Sequence, residues 1–147
     1  MPLALLTPGD LARISDETGL PPERFSVTRT MESGERAGLE DEDPVLRGLV
    51  NADGWVRSLA KRQGACVFHS RPAGCSLRYD VRPLLCRRFP LVQLGGRLHV
   101  RPGGDCLAVE EATDLPQLLA SLGTSARELA RVDAQIRRDL DDRTDAM

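Results

Sequence analysis

A chain of 147 residues, 41% of them hydrophobic, can bury one ordinary core and is short for two, so a single domain is predicted. No apolar stretch approaches the roughly 20 residues that a membrane-spanning helix needs. The opening MPLALLTPGDLAR has neither a basic n-region nor a small-residue cleavage site, which predicts a cytoplasmic protein with no membrane partner. The net charge of −2 conceals an asymmetry: residues 66–106 hold seven arginines (Arg71, Arg78, Arg82, Arg87, Arg88, Arg97 and Arg101) against Asp80 and Asp105, a segment of +5, and the remainder is −7. That segment offers only Phe68, Tyr79 and Phe89 for stacking and no basic amphipathic helix, so nucleic acid is not the expected partner.

In chain order, Thr7 as cap, Pro8 at the first helical position and Asp10 at the third open a helix over 8–18, which Gly19 stops. Pro21 and Pro22 lead to a short extended piece at Phe25 to Thr30. The acidic run ESGERAGLEDEDP has no apolar periodicity, and residues 31–44 read as an exposed, solvated loop. From Val45 the pattern becomes strand-like, with Asp53-Gly54 as a turn between two short β-rich pieces and Trp55, Val56 and Leu59 as core contributors.

Cys66-Val67-Phe68 is a further short apolar run, broken by Pro72-Ala73-Gly74 just before Cys75. Asp80 as cap and Pro83 near the start predict a helical turn or two reaching Arg88. Leu84, Leu85 and Phe89 would face inward with Cys86 beside them, and Pro90 would end the element. Leu91 to Leu94 and Arg97 to Val100 flank Gly95-Gly96 as a hairpin that returns the chain to Cys106. In the last third, Asp114, Leu115, Leu118, Leu119 and Leu122 mark one helix, ended by Gly123. Ser125 and Glu128 form a capping box for a second, whose apolar stripe is Leu129, Val132, Ile136 and Leu140.

These elements predict an α+β fold: a small irregular β-hairpin core stapled by a four-cysteine site, an N-terminal helix and a C-terminal helical pair. Residues 1–110 form the cysteine-bearing domain, and residues 111–147 a helical extension packed on it.

Cys66, Cys75, Cys86 and Cys106 fall within 41 residues and the other 106 residues hold none. Disulfides do not persist in a reducing cytoplasm, where grouped cysteines are metal ligands or redox thiols. The gaps of eight, ten and nineteen residues contain no C-x-x-C pair. Each cysteine instead lies at a break or end of a predicted element, where sulfur atoms can converge. The competing reading is that single cysteines are ordinary buried hydrophobes. Four thiolates suit zinc, iron or an iron–sulfur cluster and exclude magnesium and calcium. On a divalent ion or a four-iron core of charge +2 they leave a net −2, which neighbouring guanidinium groups would offset.

The run Cys66-Val-Phe-His, followed by Cys75-Ser-Leu-Arg-Tyr-Asp-Val-Arg-Pro-Leu-Leu-Cys86-Arg-Arg-Phe-Pro90, resembles the signature of the YkgJ-like cysteine-cluster proteins, described as zinc- or iron-chelating. LLTPGDLARISDETGLPPERF is similar to that family's L-T-x-x-D-hydrophobic-x-R-I helix and the G-L-x-x-x-x-F that follows, so the resemblance spans most of residues 5–106. It implies Cys66, Cys75, Cys86 and Cys106 as metal ligands, with Arg82 and Arg87 as the cationic groups beside the site. The alternative for those arginines is a surface pair with carboxylates such as Asp80. Members of the family carry a further C-x-x-C-x-x-C-C-like cluster ahead of the first helix, which is missing here. That makes the chain a divergent four-cysteine form or one whose start lies upstream.

His69 stands where the family has an aliphatic residue, and is more readily read as a surface or hydrogen-bonding group than as a ligand; His99 is a weaker candidate still. Three classes of function follow: a metal- or cluster-binding protein in electron transfer, metal handling or sensing; an interaction module in which zinc holds loops together; and, by a looser resemblance to flagellin lysine methylases, an enzyme. Against the last stand the lack of a glycine-rich nucleotide loop, of a Ser/His/Asp arrangement and of an acid pair.

Overall fold

Thr7, Pro8 and Asp10 do what their order predicts. In the computed structural model, α1 runs Pro8–Thr18 behind a Thr7 N-cap. The Asp10 N–H donates to Thr7 Oγ1 and the Thr7 N–H donates to Asp10 Oδ2, each at 3.0 Å, while Gly19 closes the helix in the left-handed region at φ 71°. Residues 5–32, 34, 48–51, 53–70, 74–89, 91–94, 97–100 and 113–145 are described by the structure. Most of the predicted 31–44 loop, Pro72-Ala73, Pro90, Gly95-Gly96 and Cys106 lie outside them.

A four-residue helix, α2 (Pro22–Phe25), turns the chain into β1 (Ser26–Thr30) and buries the Phe25 ring completely. β1 pairs antiparallel with β2 (Trp55–Leu59) in the register Ser26↔Leu59 to Thr30↔Trp55, and Leu5 bridges the other side of β2 at Ser58. Residues 48–50 do not form the strand expected from Val45 onward. They make a 3-10 turn and a bend, and the partner of β2 is the distant β1. Asn51 supplies the turn chemistry, its side-chain oxygen accepting the Asp53 and Trp55 N–H groups at 3.0 and 2.9 Å. Val56 and Leu59 are buried as expected, but Trp55, the first residue of the strand and paired with Thr30 at the end of the ladder, is 43% exposed.

Three short antiparallel pairs follow. β3 (Lys61–Arg62) and β4 (Ala65–Cys66) are joined by Gln63-Gly64, both at positive φ (54° and 80°), a two-residue turn of the kind that suits strand twist. β5 (His69–Ser70) pairs with β6 (Gly74–Cys75). A 3-10 turn, Tyr79–Val81, then leads to α3 (Leu84–Arg88). The predicted hairpin is present as β7 (Leu91–Leu94) and β8 (Arg97–Val100), with Leu94 opposite Arg97. α4 (Leu115–Ser121) has Asp114 as its cap, and α5 (Ala126–Asp145) opens with the Glu128 N–H on Ser125 Oγ at 3.1 Å.

The core has distinct parts. Leu6, Ile14, Phe25, Leu59, Leu77 and Val81 form one cluster under α1, and Leu84 of α3 packs with Val132 and Ile136 of α5 in another. Leu91 of the hairpin rests on Leu118 and Leu129, so β7–β8 belongs with the C-terminal helices. Burying side chains such as Phe25 or Ile14 contributes about 1.5–3 kcal/mol each.

Asp80 does not cap α3, as expected from its position; it lies within the 3-10 turn, and Pro83, with no side-chain oxygen, occupies the cap position. The capping oxygen comes from α1 instead: Asp10 Oδ1 accepts the Leu84 N–H at 3.1 Å. The same carboxylate meets Arg13 at 3.0 Å, and Arg13 reaches Asp139 of α5 at 2.8 Å. Asp139 also accepts from the Thr7 hydroxyl at 2.6 Å and the Gln135 amide at 2.7 Å. Gly9 is required beside this group, since a Cβ there would run into the Asp139 carboxylate.

Asp10→Ala leaves the buried Thr7 and Leu84 N–H groups without their acceptor and should lower the free energy of unfolding by about 3 kcal/mol in urea. A loss below about 0.5 kcal/mol, the scale of a surface change, would contradict the role assigned to this carboxylate.

Candidate functional site

Each described cysteine is delivered by a short element. The Gln63-Gly64 turn folds β4 back on β3 and sets Cys66 opposite Lys61. Gly74, at φ +84°, starts β6 and sets Cys75 opposite His69. On α3, Leu84 and Arg88 share the buried face, one turn apart. Leu84 packs on α5 and Arg88 pairs with Asp133 at 3.4 Å, both side chains being buried. Cys86, two positions along from Leu84, therefore stands on the opposite side of the helix and keeps exposed surface.

Cys66 and Cys75 are half-buried and pack against the same cluster of Ile14, Phe25, Leu59 and Leu77. Cys86 lies within electrostatic reach of both. Three cysteines separated by eight and ten residues thus occupy one region. Cys106, the fourth expected ligand, lies outside the described residues. Among the described residues, no group of three or more His, Cys, Asp or Glu side chains is gathered as a metal cage.

The electrostatics are those of partly enclosed thiols that also influence one another. Burial raises the Cys66 thiol above its ordinary value, with Cys75 adding to the rise; hydrogen bonds from the backbone N–H groups of Phe68 and His69, and the charge of Lys61, oppose it. For Cys86, burial is again the first cause. Although the residue retains exposed surface, the protein packed round its sulfur disfavours the thiolate, and the nearby Cys66, Asp10 and Cys75 disfavour it further. Arg82 pulls the other way, and the thiol is pushed up to about 12. A soft cation among these sulfurs would reverse the balance: it displaces the protons and removes the mutual repulsion, so the donor set fits zinc or iron.

The two arginines expected beside the site take different roles. Arg82 donates from Nε to the Leu77 carbonyl at 3.0 Å and its charge is felt at Cys86. Arg87 bonds the carbonyls of Arg82 and Asp80 at 2.9 and 2.6 Å and lies over the Tyr79 ring, 5.6 Å from its centre. Among the described residues neither forms the carboxylate pair that was the alternative; Arg82 braces the 3-10 turn across its ends, and Arg87 stitches that turn to α3. Tyr79 in turn donates to Glu128 at 3.2 Å, tying this corner to α5. His69 and His99 are both exposed.

Two features escaped the sequence reading. The Gln63-Gly64 hairpin was signalled only by a polar residue and glycine between very short strands. The anchorage of α3 by Asp10 and Asp133, and of α1 to α5 by Asp139, depends on pairings as distant as 132 residues, which no local pattern records.

In metal-free protein at about pH 8, Cys86 should be alkylated by iodoacetamide on the order of tenfold to a hundredfold more slowly than an ordinary thiol. Its smaller thiolate fraction is only partly offset by greater nucleophilicity. The difference should vanish in guanidinium chloride, and an ordinary rate in the folded protein would contradict the enclosed arrangement.

No protein family, curated protein or solved structure matches this chain.

Proposed function

We propose that this protein binds a soft metal, zinc or iron, the latter as an ion or an iron–sulfur cluster. The thiolates of Cys66, Cys75 and Cys86 would be ligands, with Cys106 the further one suggested by resemblance to the YkgJ-like cysteine-cluster family. The supporting observation is the convergence of three cysteines from three separate elements into one electrostatically coupled group, with Arg82 alongside. Thiolates exclude hard cations, and a cationic neighbour offsets the negative charge that they leave on the metal. Electron transfer, metal handling and sensing are the roles open to such a site.

A second reading is favoured by the scaffold itself. Cys66 and Cys75 sit on strands of only two residues, too short to hold their geometry unaided. Metal binding there would also be folding energy, and a zinc ion that holds these loops together as an interaction surface would need no redox role.

Anaerobic purification followed by an absorption spectrum and metal and sulfide analysis of the same sample tests both. Broad absorption near ~400 nm with iron and acid-labile sulfide is the cluster outcome; about one zinc per chain without colour is the staple outcome. In either case Cys86→Ser should lower the metal content. Wild-type protein that is folded and stays metal-free after zinc or iron is supplied would refute the proposal.

A further inference from the structure

The segment Cys66-Val67-Phe68-His69 is the tight turn that links β4 to β5. The N–H groups two and three residues on, from Phe68 and His69, act to favour the Cys66 thiolate. Successive amides aimed at one anion form a nest, an arrangement found round thiolates in metal sites. The turn is tied from outside as well: the Val67 N–H donates to the Ala60 carbonyl at 3.0 Å, and the Phe68 carbonyl accepts the Ser76 N–H at 2.8 Å. The Phe68 ring packs on Phe25 with centres 5.9 Å apart. A C-x-x-C pair carries its second ligand three residues after the first. Here that residue is His69.

The register of β5 and β6 supplies an independent observation. His69 and Cys75 are directly opposite partners, so their side chains rise from the same face with Cβ atoms about 4.5–5.5 Å apart. His69 is therefore one turn from Cys66 and one rung from Cys75, while Cys86 is coupled to both cysteines from α3.

We infer that His69 is a metal ligand, paired with Cys66 in a C-x-x-H knuckle, and that the site closes on Cys66, His69, Cys75 and Cys86 without needing Cys106. This rests on the reading that these cysteines bind metal, and it changes the donor set to three thiolates and one imidazole. Such a set is one of the regular tetrahedral zinc sites. It leaves a net charge of −1 on a divalent ion, with Lys61 facing Cys66 and Arg82 beside Cys86 to offset it. Closure asks for side-chain rotations at four positions that are exposed or half-buried.

Titration of the metal-free full chain with cobalt(II), read by its visible absorption, tests the assignment. The wild type should give the bands of a three-sulfur, one-nitrogen tetrahedral site. His69→Ala should weaken cobalt and zinc binding by at least about tenfold and lose that spectrum. His69→Cys should recover the affinity and move the bands to the four-thiolate position, which guards against a mere folding defect. Cys106→Ser should change neither affinity nor spectrum. A four-thiolate spectrum in the wild type, unmoved by His69→Ala and altered by Cys106→Ser, would overturn the inference while leaving metal binding intact. No cobalt or zinc binding by folded wild type would overturn both.

Discussion

The buried carboxylate of Asp10 is the contact on which the rest of the arrangement depends. It completes the cap of its own helix, accepts the first free N–H of α3 and meets Arg13, which carries the connection to Asp139 on α5. Burial raises its pKa, and hydrogen bonds from Thr7, Arg13 and Leu84 hold it against that penalty. Asp139 is the opposite case: burial acts to raise it, but bonds from Arg13, Thr7 and Gln135 prevail and hold it below the usual carboxylate range. Two acids and one guanidinium thus join the first helix, the short α3 and the last helix. Removing one member leaves the others buried without their partner, which is why such junctions are fragile to single substitutions.

This junction matters for function because α3 has only five residues and cannot persist alone. Its inner face is fixed by Leu84 in the core and by the Arg88–Asp133 pair, and its start is fixed by Asp10. Cys86 is therefore presented from a firm base. Cys66 and Cys75, in contrast, ride on two-residue strand pairs whose order comes from the turn residues and from packing on the Phe25 cluster. On the proposed reading, a firm thiol on one side and adaptable thiols on the other would let a site complete its geometry when metal arrives.

Much of the frame was legible in the chain. The Thr7-Pro8-Asp10 cap and the Gly19 stop marked α1, Gly95-Gly96 between alternating strands marked β7–β8, and the Leu129, Val132, Ile136 and Leu140 stripe marked α5, because each is a local pattern with a local cause. Trp55 was misplaced, since hydrophobicity alone does not tell the first residue of a strand from its middle. Asp80 was assigned a cap that Asp10 provides from 74 residues away. For the site, residue type pointed to thiolate chemistry, and spacing could not say which sulfurs meet. His69 looked incidental because its claim depends on a turn geometry and a strand register that appear only on folding.

The central claim is that the Cys66–His69 turn and the cysteines around it are a metal site whose order depends on the metal. Hydrogen exchange of the intact protein, with and without one equivalent of zinc, tests it most directly. Zinc should slow exchange at the Phe68 and His69 amides and along residues 65–70 and 74–76, while the amides of α5 round Leu129, Val132 and Ile136 stay as they are. Equal exchange across the cysteine region in both samples would contradict the account.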